Sequence, residues 1–187
     1  GITIGSYLIY KYGQRIKRPF IFLGICQLAI VLSIQISMPV YERLPYLIWS
    51  SVGSPDFDDT SYSYYIFIQS FYVFLLLFIP TIFMGMSLPL ASKLVVRKIS
   101  ETGKTVGRIF AINTIGTVLG SLFVGLILIP FVGITGSLSL LLLINILLAV
   151  LVFGYKNSVS KRFKLTVGLA VLFATAIYGN TLLNNSW

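Results

Sequence analysis

The fold is decided by residues 65–91, which read YIFIQSFYVFLLLFIPTIFMGMSLPLA and include no charged side chain. A helix needs roughly 20 apolar residues to cross a hydrocarbon core about 30 Å thick. This stretch has 27 residues, so we expect a transmembrane helix that tilts, bends or projects from the bilayer. Pro80 and Pro89 each remove a backbone hydrogen bond, and Gly85 lies between them, so the bend is expected around residues 78–85. Such a break is tolerated in lipid where protein or water satisfies the freed backbone groups, which predicts either a kink packed against a neighbour or a cavity.

Four further stretches are long and apolar enough to cross a membrane. They are residues 20–40, 108–130, 135–155 and 165–183. Residues 1–10 are apolar but too short, and basic residues follow them at once, so we interpret them as the end of a crossing that begins earlier. The sequence predicts an all-α, polytopic transmembrane helix bundle with five full spans and one partial N-terminal span. We interpret residues 1–187 as a single transmembrane domain and as a fragment of a longer protein, with further N-terminal helices and a C-terminal soluble domain.

The composition excludes several classes of protein. Hydrophobic residues make up 57% of the chain and charged residues 10%, whereas a soluble domain has about 25% charged residues. A water-soluble domain, a disordered chain and a disulfide scaffold are therefore excluded. The chain has one cysteine, no histidine and five carboxylates, which excludes His/Cys metal sites and Ser-His-Asp or Cys-His catalysis. It also lacks the G-x-G-x-x-G fingerprint of nucleotide cofactors. We therefore predict no catalytic, metal or cofactor site.

The basic residues are concentrated in alternate loops between the predicted spans. These residues are Lys11, Arg15, Lys17 and Arg18 in the first basic loop, Lys93, Arg97, Lys98, Lys104 and Arg108 in the second, and Lys156, Lys161, Arg162 and Lys164 in the third. The positive-inside rule predicts that the three loops are cytoplasmic. The acidic loop 41–64 and the C-terminus are then outside, in a protein of the cell (inner) membrane. In so apolar a chain, a net charge of +9 indicates anionic lipid headgroups as partners of the basic loops, not nucleic acid.

Small and polar residues inside the predicted spans indicate helix packing. Gly116 and Gly120 form a GxxxG motif, which allows two helices to approach closely in lipid. We expect this face, with the amide of Asn113, to contact another helix; a substrate-lining surface is the alternative. The full set of helix-packing or cavity candidates is Pro80, Gly85, Pro89, Asn113, Gly116, Gly120, Gly125 and Asn145.

Three segments carry a family resemblance. They are Gly5-Ser6 with the basic cluster that follows, PTIFMGMSLP at 80–89, and GRIFAINTIG at 107–116 with the glycines after it. In this order they resemble the membrane domain of the fused spermidine-synthase-like proteins, which join a major-facilitator-like helical region to an aminopropyltransferase-type domain. Gln14 stands where that family tends to carry an aspartate, so the first loop of this chain is purely cationic.

The resemblance implies an integral-membrane domain that anchors and positions an attached or partner domain, with polyamine chemistry, where present, outside this segment. Two alternatives remain open. The kinked span and the glycine-rich groove suit half of a major-facilitator-like transporter. The GxxxG face and the basic loops suit a structural subunit of a larger membrane complex, with membrane helices of other subunits as partners.

Overall fold

The computed structural model describes residues 1–52, 59–96, 102–154 and Gly168. The helices are α1 (Ile2–Tyr12), α2 (Pro19–Glu42), α3 (Leu44–Val52), α4 (Asp59–Val95), α5 (Thr102–Phe123) and α6 (Ile129–Gly154). A 3₁₀ turn, Gly13–Arg15, follows α1, and a π turn, Val124–Leu128, joins α5 to α6. No strand occurs in these ranges, so the predicted all-α class is confirmed for them.

Three helical segments are long and apolar enough to cross a membrane, and no more are found in the described part of the chain. Pro19–Glu42 and Tyr62–Val95 contain the predicted spans 20–40 and 65–91. The third segment, Thr102–Gly154, is 53 residues long and covers both 108–130 and 135–155. The predicted span 165–183 lies outside the described residues apart from Gly168, so five full spans are not confirmed.

Gly133 breaks the 53-residue segment where the sequence predicts a turn between two spans. Its backbone has φ 73° and ψ 175°, a non-helical conformation that glycine adopts without a steric penalty. At 1.5 Å per residue an unbroken helix of this length would measure about 80 Å, well over twice the hydrocarbon thickness. The structure therefore places a single-residue break between helical arms, within the four residues, 131–134, that separate the predicted spans 108–130 and 135–155.

Side-chain contacts give the relative directions of the packed helices. α1 and α4 run parallel, because Ser6 contacts Gly85 and Lys93, further along α4, reaches Gly13 just after α1. α2 runs antiparallel to α4, since Cys26 near its start packs in one cluster with Leu90 near the end of α4. Thus α1 and α4 share one direction and α2 has the other.

α6 is also antiparallel to α2. A Cβ added to Gly24, near the start of α2, would meet the ring of Phe153, near the end of α6, at 2.7 Å. Midway along the pair, Val31 is buried against Leu142 and Ile146. α4 therefore ends, and α6 begins, at opposite ends of the bundle, so α5 and the π turn connect the two ends.

α5 is the exception to this packing. None of its residues is buried, and every residue from Ala111 to Phe123 is exposed. The short helix α3, in contrast, packs on α4, and its Leu44 and Ile48 are buried. The described bundle is therefore formed by α1, α2, α4 and α6, with α3 at one end and α5 uncovered.

Candidate membrane cavity

The candidate residues chosen from the sequence separate into two groups in the structure. Pro80, Gly85 and Pro89 all lie on α4, within the packed bundle. The glycines of the GxxxG motif lie on α5, and a Cβ added to Gly116 or Gly120 would meet nothing within 4 Å. The structure thus brings the first group together with other helices and leaves the second without a neighbour among the described residues.

Pro89 lies where α4 packs against α1. Proline has no backbone N–H, so the carbonyl of Gly85, four residues earlier, has no donor within the helix. The hydroxyl of Ser6 on α1 donates a hydrogen bond to this carbonyl at 2.9 Å. The two helices are in backbone contact here, because a Cβ on Gly85 would lie 2.3 Å from the carbonyl oxygen of Ile2. At this end of α4 the freed backbone group is therefore satisfied by packing. The bend expected around residues 78–85 stays a prediction, because α4 is assigned as one helix from Asp59 to Val95.

Pro80 lines a cavity, so the other interpretation applies there. The cavity has a volume of about 420 Å³ and lies between α2, α4 and α6. It is lined by Ile34, Ser37, Met38, Tyr41 and Glu42 of α2, by Leu76, Leu77 and Pro80 of α4, and by Ile134, Thr135 and Leu138 of α6. Its walls are mainly hydrocarbon, and its polar groups are concentrated toward the end of α2.

Two prolines free backbone carbonyls at this level of the bundle. Pro80 cannot donate to the carbonyl of Leu76, which lines the cavity. Pro39, inside α2, likewise cannot donate to the carbonyl of Gln35. The side-chain Nε2 of Gln35 is buried and has no hydrogen-bond partner within the described residues. Near the cavity the amide nitrogen of Gln35 thus lacks a partner among the described residues, whereas the carbonyl freed by Pro89 has one.

Sequence reasoning missed the α2 side of this site. The prolines of α4 predict freed carbonyls in that helix, and the same rule applied to Pro39 indicates a freed carbonyl in the neighbouring helix α2. The sequence predicts a loop from residue 41 onward, whereas Glu42 ends α2 and both Tyr41 and Glu42 line the cavity. The signal was available in the spacing, since these residues follow Met38 on one turn of helix.

A second cavity lies at the opposite end of the bundle, near the predicted basic loops. It has a volume of about 350 Å³ and is bordered by Ser6, Gly13, Gln14 and Lys93 among others. The ammonium group of Lys93 donates a hydrogen bond to the carbonyl of Gly13, so it is used in joining α4 to the end of α1. Lys93 thus helps to pack α4 against the end of α1, in addition to the contact with anionic lipid headgroups that the sequence predicts.

The other basic residues are at the surface where they are described. Lys11, Arg15, Lys17, Arg18, Lys104 and Arg108 are all exposed. Lys11 and Arg15 lie over the ring of Tyr12, at 5.5 and 5.9 Å from its centroid. The remaining basic-loop candidates, Arg97, Lys98, Lys156, Lys161, Arg162 and Lys164, lie outside the described residues.

The two candidate asparagines, Asn113 and Asn145, show no hydrogen bond to another helix in the described part of the chain. Asn145 donates to the carbonyl of Leu141 in its own helix at 3.0 Å. Asn113 is exposed on α5, and a Cβ on Gly125 in the π turn would meet nothing within 4 Å. The expectation that the Asn113, Gly116 and Gly120 face contacts another helix therefore stays a prediction.

These helices define the class of the protein: a multi-helix protein whose apolar segments suit a lipid bilayer. Comparisons with models of protein families, with curated proteins and with solved structures find no match to the chain.

Proposed function

We propose that this chain is the integral-membrane domain of a spermidine-synthase-like protein, and that it anchors and positions an attached or partner domain without catalysing a reaction itself. One observation carries the proposal. The first two segments of the resemblance, at Gly5-Ser6 and at 80–89, form a single structural unit, because Ser6 bonds to Gly85 and a Cβ on Gly5 would lie 2.0 Å from the carbonyl oxygen of Ile82. Segments that resemble one family and also pack together support a shared architecture.

The proposed arrangement has five spans in the cytoplasmic membrane, with the basic loops inside and the C-terminus outside. The helix directions support this arrangement, since α2 runs antiparallel to α1, α4 and α6. α5 connects the inner end of α4 to the outer start of α6, so the break at Gly133 separates a third crossing from a fourth. In this proposal the fifth crossing is the span that the sequence predicts at residues 165–183, which lie outside the described residues apart from Gly168.

Cysteine labelling tests this orientation. Ser50, exposed at the proposed outer end, and Lys104, exposed at the start of α5, are each replaced by cysteine. We expect an impermeant maleimide to label Ser50→Cys in intact cells, and Lys104→Cys after permeabilisation alone, because basic loops are retained in the cytoplasm. The unmodified chain is the control, since its Cys26 is 1% exposed and should give little background. Labelling of the two variants in the reverse order would contradict the proposed topology.

Calorimetry tests the absence of catalytic machinery. A nucleoside pocket requires a glycine-rich turn between strand and helix, and a polyamine site requires converging carboxylates. The sequence lacks that turn, and its clustered acidic residues Asp56, Asp58 and Asp59 lie outside the described side chains. We expect the purified segment to bind neither an adenosyl sulfonium nor spermidine tightly, apart from weak spermidine binding that moderate salt screens. Tight, salt-insensitive binding of either compound would contradict the proposal.

The proposed orientation has a consequence for the attached domain. It places Trp187 outside, whereas an adenosyl donor is made inside the cell. An attached domain would then perform a different reaction, or the chain would cross the membrane once less than proposed. The intact mass of the native protein shows whether such a domain follows residue 187, and the labelling experiment shows on which side it lies.

Specific observations also favour the alternatives. The cavity beside Pro80 favours half of a transporter, although within the described residues it contains a carboxylate at its rim and no charge at its centre. The uncovered α5 favours a subunit of a larger complex, because a partner helix would cover the GxxxG face.

A further inference from the structure

We propose that the cavity between the ends of α1 and α4 binds the phosphate head of one anionic phospholipid, of the phosphatidylglycerol type. This inference goes beyond the proposed anchoring role, and it stands without the family resemblance. The sequence predicts that the basic loops in general attract anionic headgroups, whereas the structure supplies one place for a single lipid. The inference rests on the charge of this end of the bundle, on the donors in the wall of the cavity, and on its depth in the membrane.

Positive charges from two helices meet at this end of the bundle. Lys93 of α4 reaches the carbonyl of Gly13, just after α1. Lys11 and Arg15 lie over the ring of Tyr12, on either side of it in the sequence. A carbonyl and an aromatic ring are neutral partners, so they hold these side chains in place without neutralising their charge. Such charges repel one another within a Debye length, about 8 Å at physiological salt, and an anion bound among them offsets that repulsion.

The packed helices provide no carboxylate at this end of the described chain. Residues 1–41, which include α1 and nearly all of α2, contain no aspartate or glutamate, and the same is true of residues 60–100, which include nearly all of α4. Glu42 and Asp59 lie at the other end of the bundle, because the first ends α2 and the second begins α4. A basic cluster without acidic partners attracts an anion from outside the chain.

The wall of the cavity supplies donors, and its charge selects the head. Lys93 has three N–H donors, of which the carbonyl of Gly13 takes one, and the side-chain amide of Gln14 has two. The amide and the hydroxyl of Tyr10 can also accept, so hydrogen bonding alone admits several heads. Among the described lining residues the charged one is Lys93. A phosphate gains a charge-assisted hydrogen bond from it, whereas the cation of a zwitterionic head lies near a like charge.

The depth of the cavity favours a lipid over a soluble phosphate. Pro89 lies inside the apolar run 65–91, and Lys93 follows that run by two residues, so the cavity extends from the hydrocarbon core to the level of the headgroups. Ile9 and Pro89 supply apolar surface from α1 and α4. A phospholipid can place its phosphate at Lys93 and the start of an acyl chain on this surface, which inorganic phosphate would leave without contact.

Native mass spectrometry of the whole chain in a mild detergent tests the proposal. The protein is titrated with phosphatidylglycerol or with phosphatidylcholine of the same acyl chains. We expect one phosphatidylglycerol to bind ahead of any others, with a dissociation constant about tenfold below that of phosphatidylcholine; a tenfold difference corresponds to about 1.4 kcal/mol. Glycerol phosphate, which has a similar head and no acyl chains, should not displace the lipid at about tenfold higher concentration.

Matched variants locate the site. Lys93→Gln keeps a donor for the carbonyl of Gly13 but removes the charge, and it should weaken binding of the first phosphatidylglycerol about tenfold. Lys104→Gln removes the same charge from an exposed position outside the lining, and it should weaken binding by less than about twofold. Gln14→Glu, at an exposed position in the lining, should weaken binding at least as much as Lys93→Gln, because it places a carboxylate beside the phosphate. Protection of the buried Cys26 thiol shows that each variant keeps its packing.

Three results would overturn the inference. Equal affinity for phosphatidylglycerol and phosphatidylcholine would show that the head is not recognised. Equal losses in Lys93→Gln and Lys104→Gln would show a general attraction to all basic residues and no particular site. Displacement by glycerol phosphate would show that a soluble phosphate suffices, so that the apolar part of the cavity has no role in binding.

Discussion

Replacing Gly5 by leucine is expected to separate α1 from α4 and to abolish the stable bundle. A Cβ at this position would lie 2.0 Å from the carbonyl oxygen of Ile82 and 3.0 Å from the backbone nitrogen of Met86. Overpacking a core costs about 1–3 kcal/mol where side chains can move aside. Both obstructing atoms here belong to the backbone of α4, so the helix itself must move, and we expect a loss at or above about 3 kcal/mol.

Thermal unfolding of the purified protein in detergent measures the loss of stability in Gly5→Leu. The reactivity of the Cys26 thiol reports locally on the separation of α1 from α4. Cys26 is 1% exposed and packs with Ile9 and Met86 where α1, α2 and α4 meet, so separation of α1 should expose its thiol. Gly107→Leu is the matched control, because a Cβ on Gly107 would meet nothing within 4 Å. We expect this control to change stability by no more than about 0.5 kcal/mol. Equal stability of the two variants would disprove the backbone contact between α1 and α4.

The second large effect is expected from the hydrogen bond between Ser6 and Gly85. Ser6→Ala leaves the carbonyl of Gly85 without its 2.9 Å donor, and Pro89 cannot replace that donor from within the helix. We expect the free energy of unfolding to fall by about 1–2 kcal/mol, which is the range for an interhelical hydrogen bond in a membrane protein and for a buried acceptor left unsatisfied.

A double-mutant cycle isolates the free energy that the hydrogen bond between Ser6 and Gly85 contributes. In Pro89→Ala the backbone N–H of residue 89 can donate to Gly85, so Ser6→Ala should cost less in that background, by about 1 kcal/mol. Ser87→Ala is the control, since its hydroxyl bonds to Phe83 within α4, where the helix already supplies a donor. Urea or thermal unfolding followed by fluorescence measures all variants. An identical cost of Ser6→Ala in both backgrounds would show that the hydroxyl does not compensate for the proline.

The helices of the fold follow from local properties that sequence shows directly. The lengths of apolar runs place α2 and α4, because a lipid environment requires each run to satisfy its own backbone. The freed carbonyls of α4 follow from Pro80 and Pro89 by an equally local rule. These predictions needed no knowledge of which helix lies beside which.

The neighbours of each helix were beyond sequence reasoning. Whether a freed carbonyl is covered, as at Gly85, or borders a cavity, as at Leu76, depends on which helix packs there. The contrast between Gly5 and Gly116 has the same origin. Both are glycines in apolar helices, yet a Cβ would collide with backbone at the first and meet nothing within 4 Å at the second. Pattern alone predicts that small residues permit close approach, and the partner decides whether the approach occurs.

The hydrogen bond from Ser6 to Gly85 also limits the order in which this sequence can change over evolutionary time. The two residues are 79 positions apart, and the need for the serine arises from a third residue, Pro89. Loss of the serine while the proline remains leaves an acceptor unsatisfied, whereas loss of the proline first makes the serine dispensable. Descendants of this sequence should therefore retain both residues, lose both, or keep the serine alone, and a lineage with the proline and an alanine at position 6 should be rare.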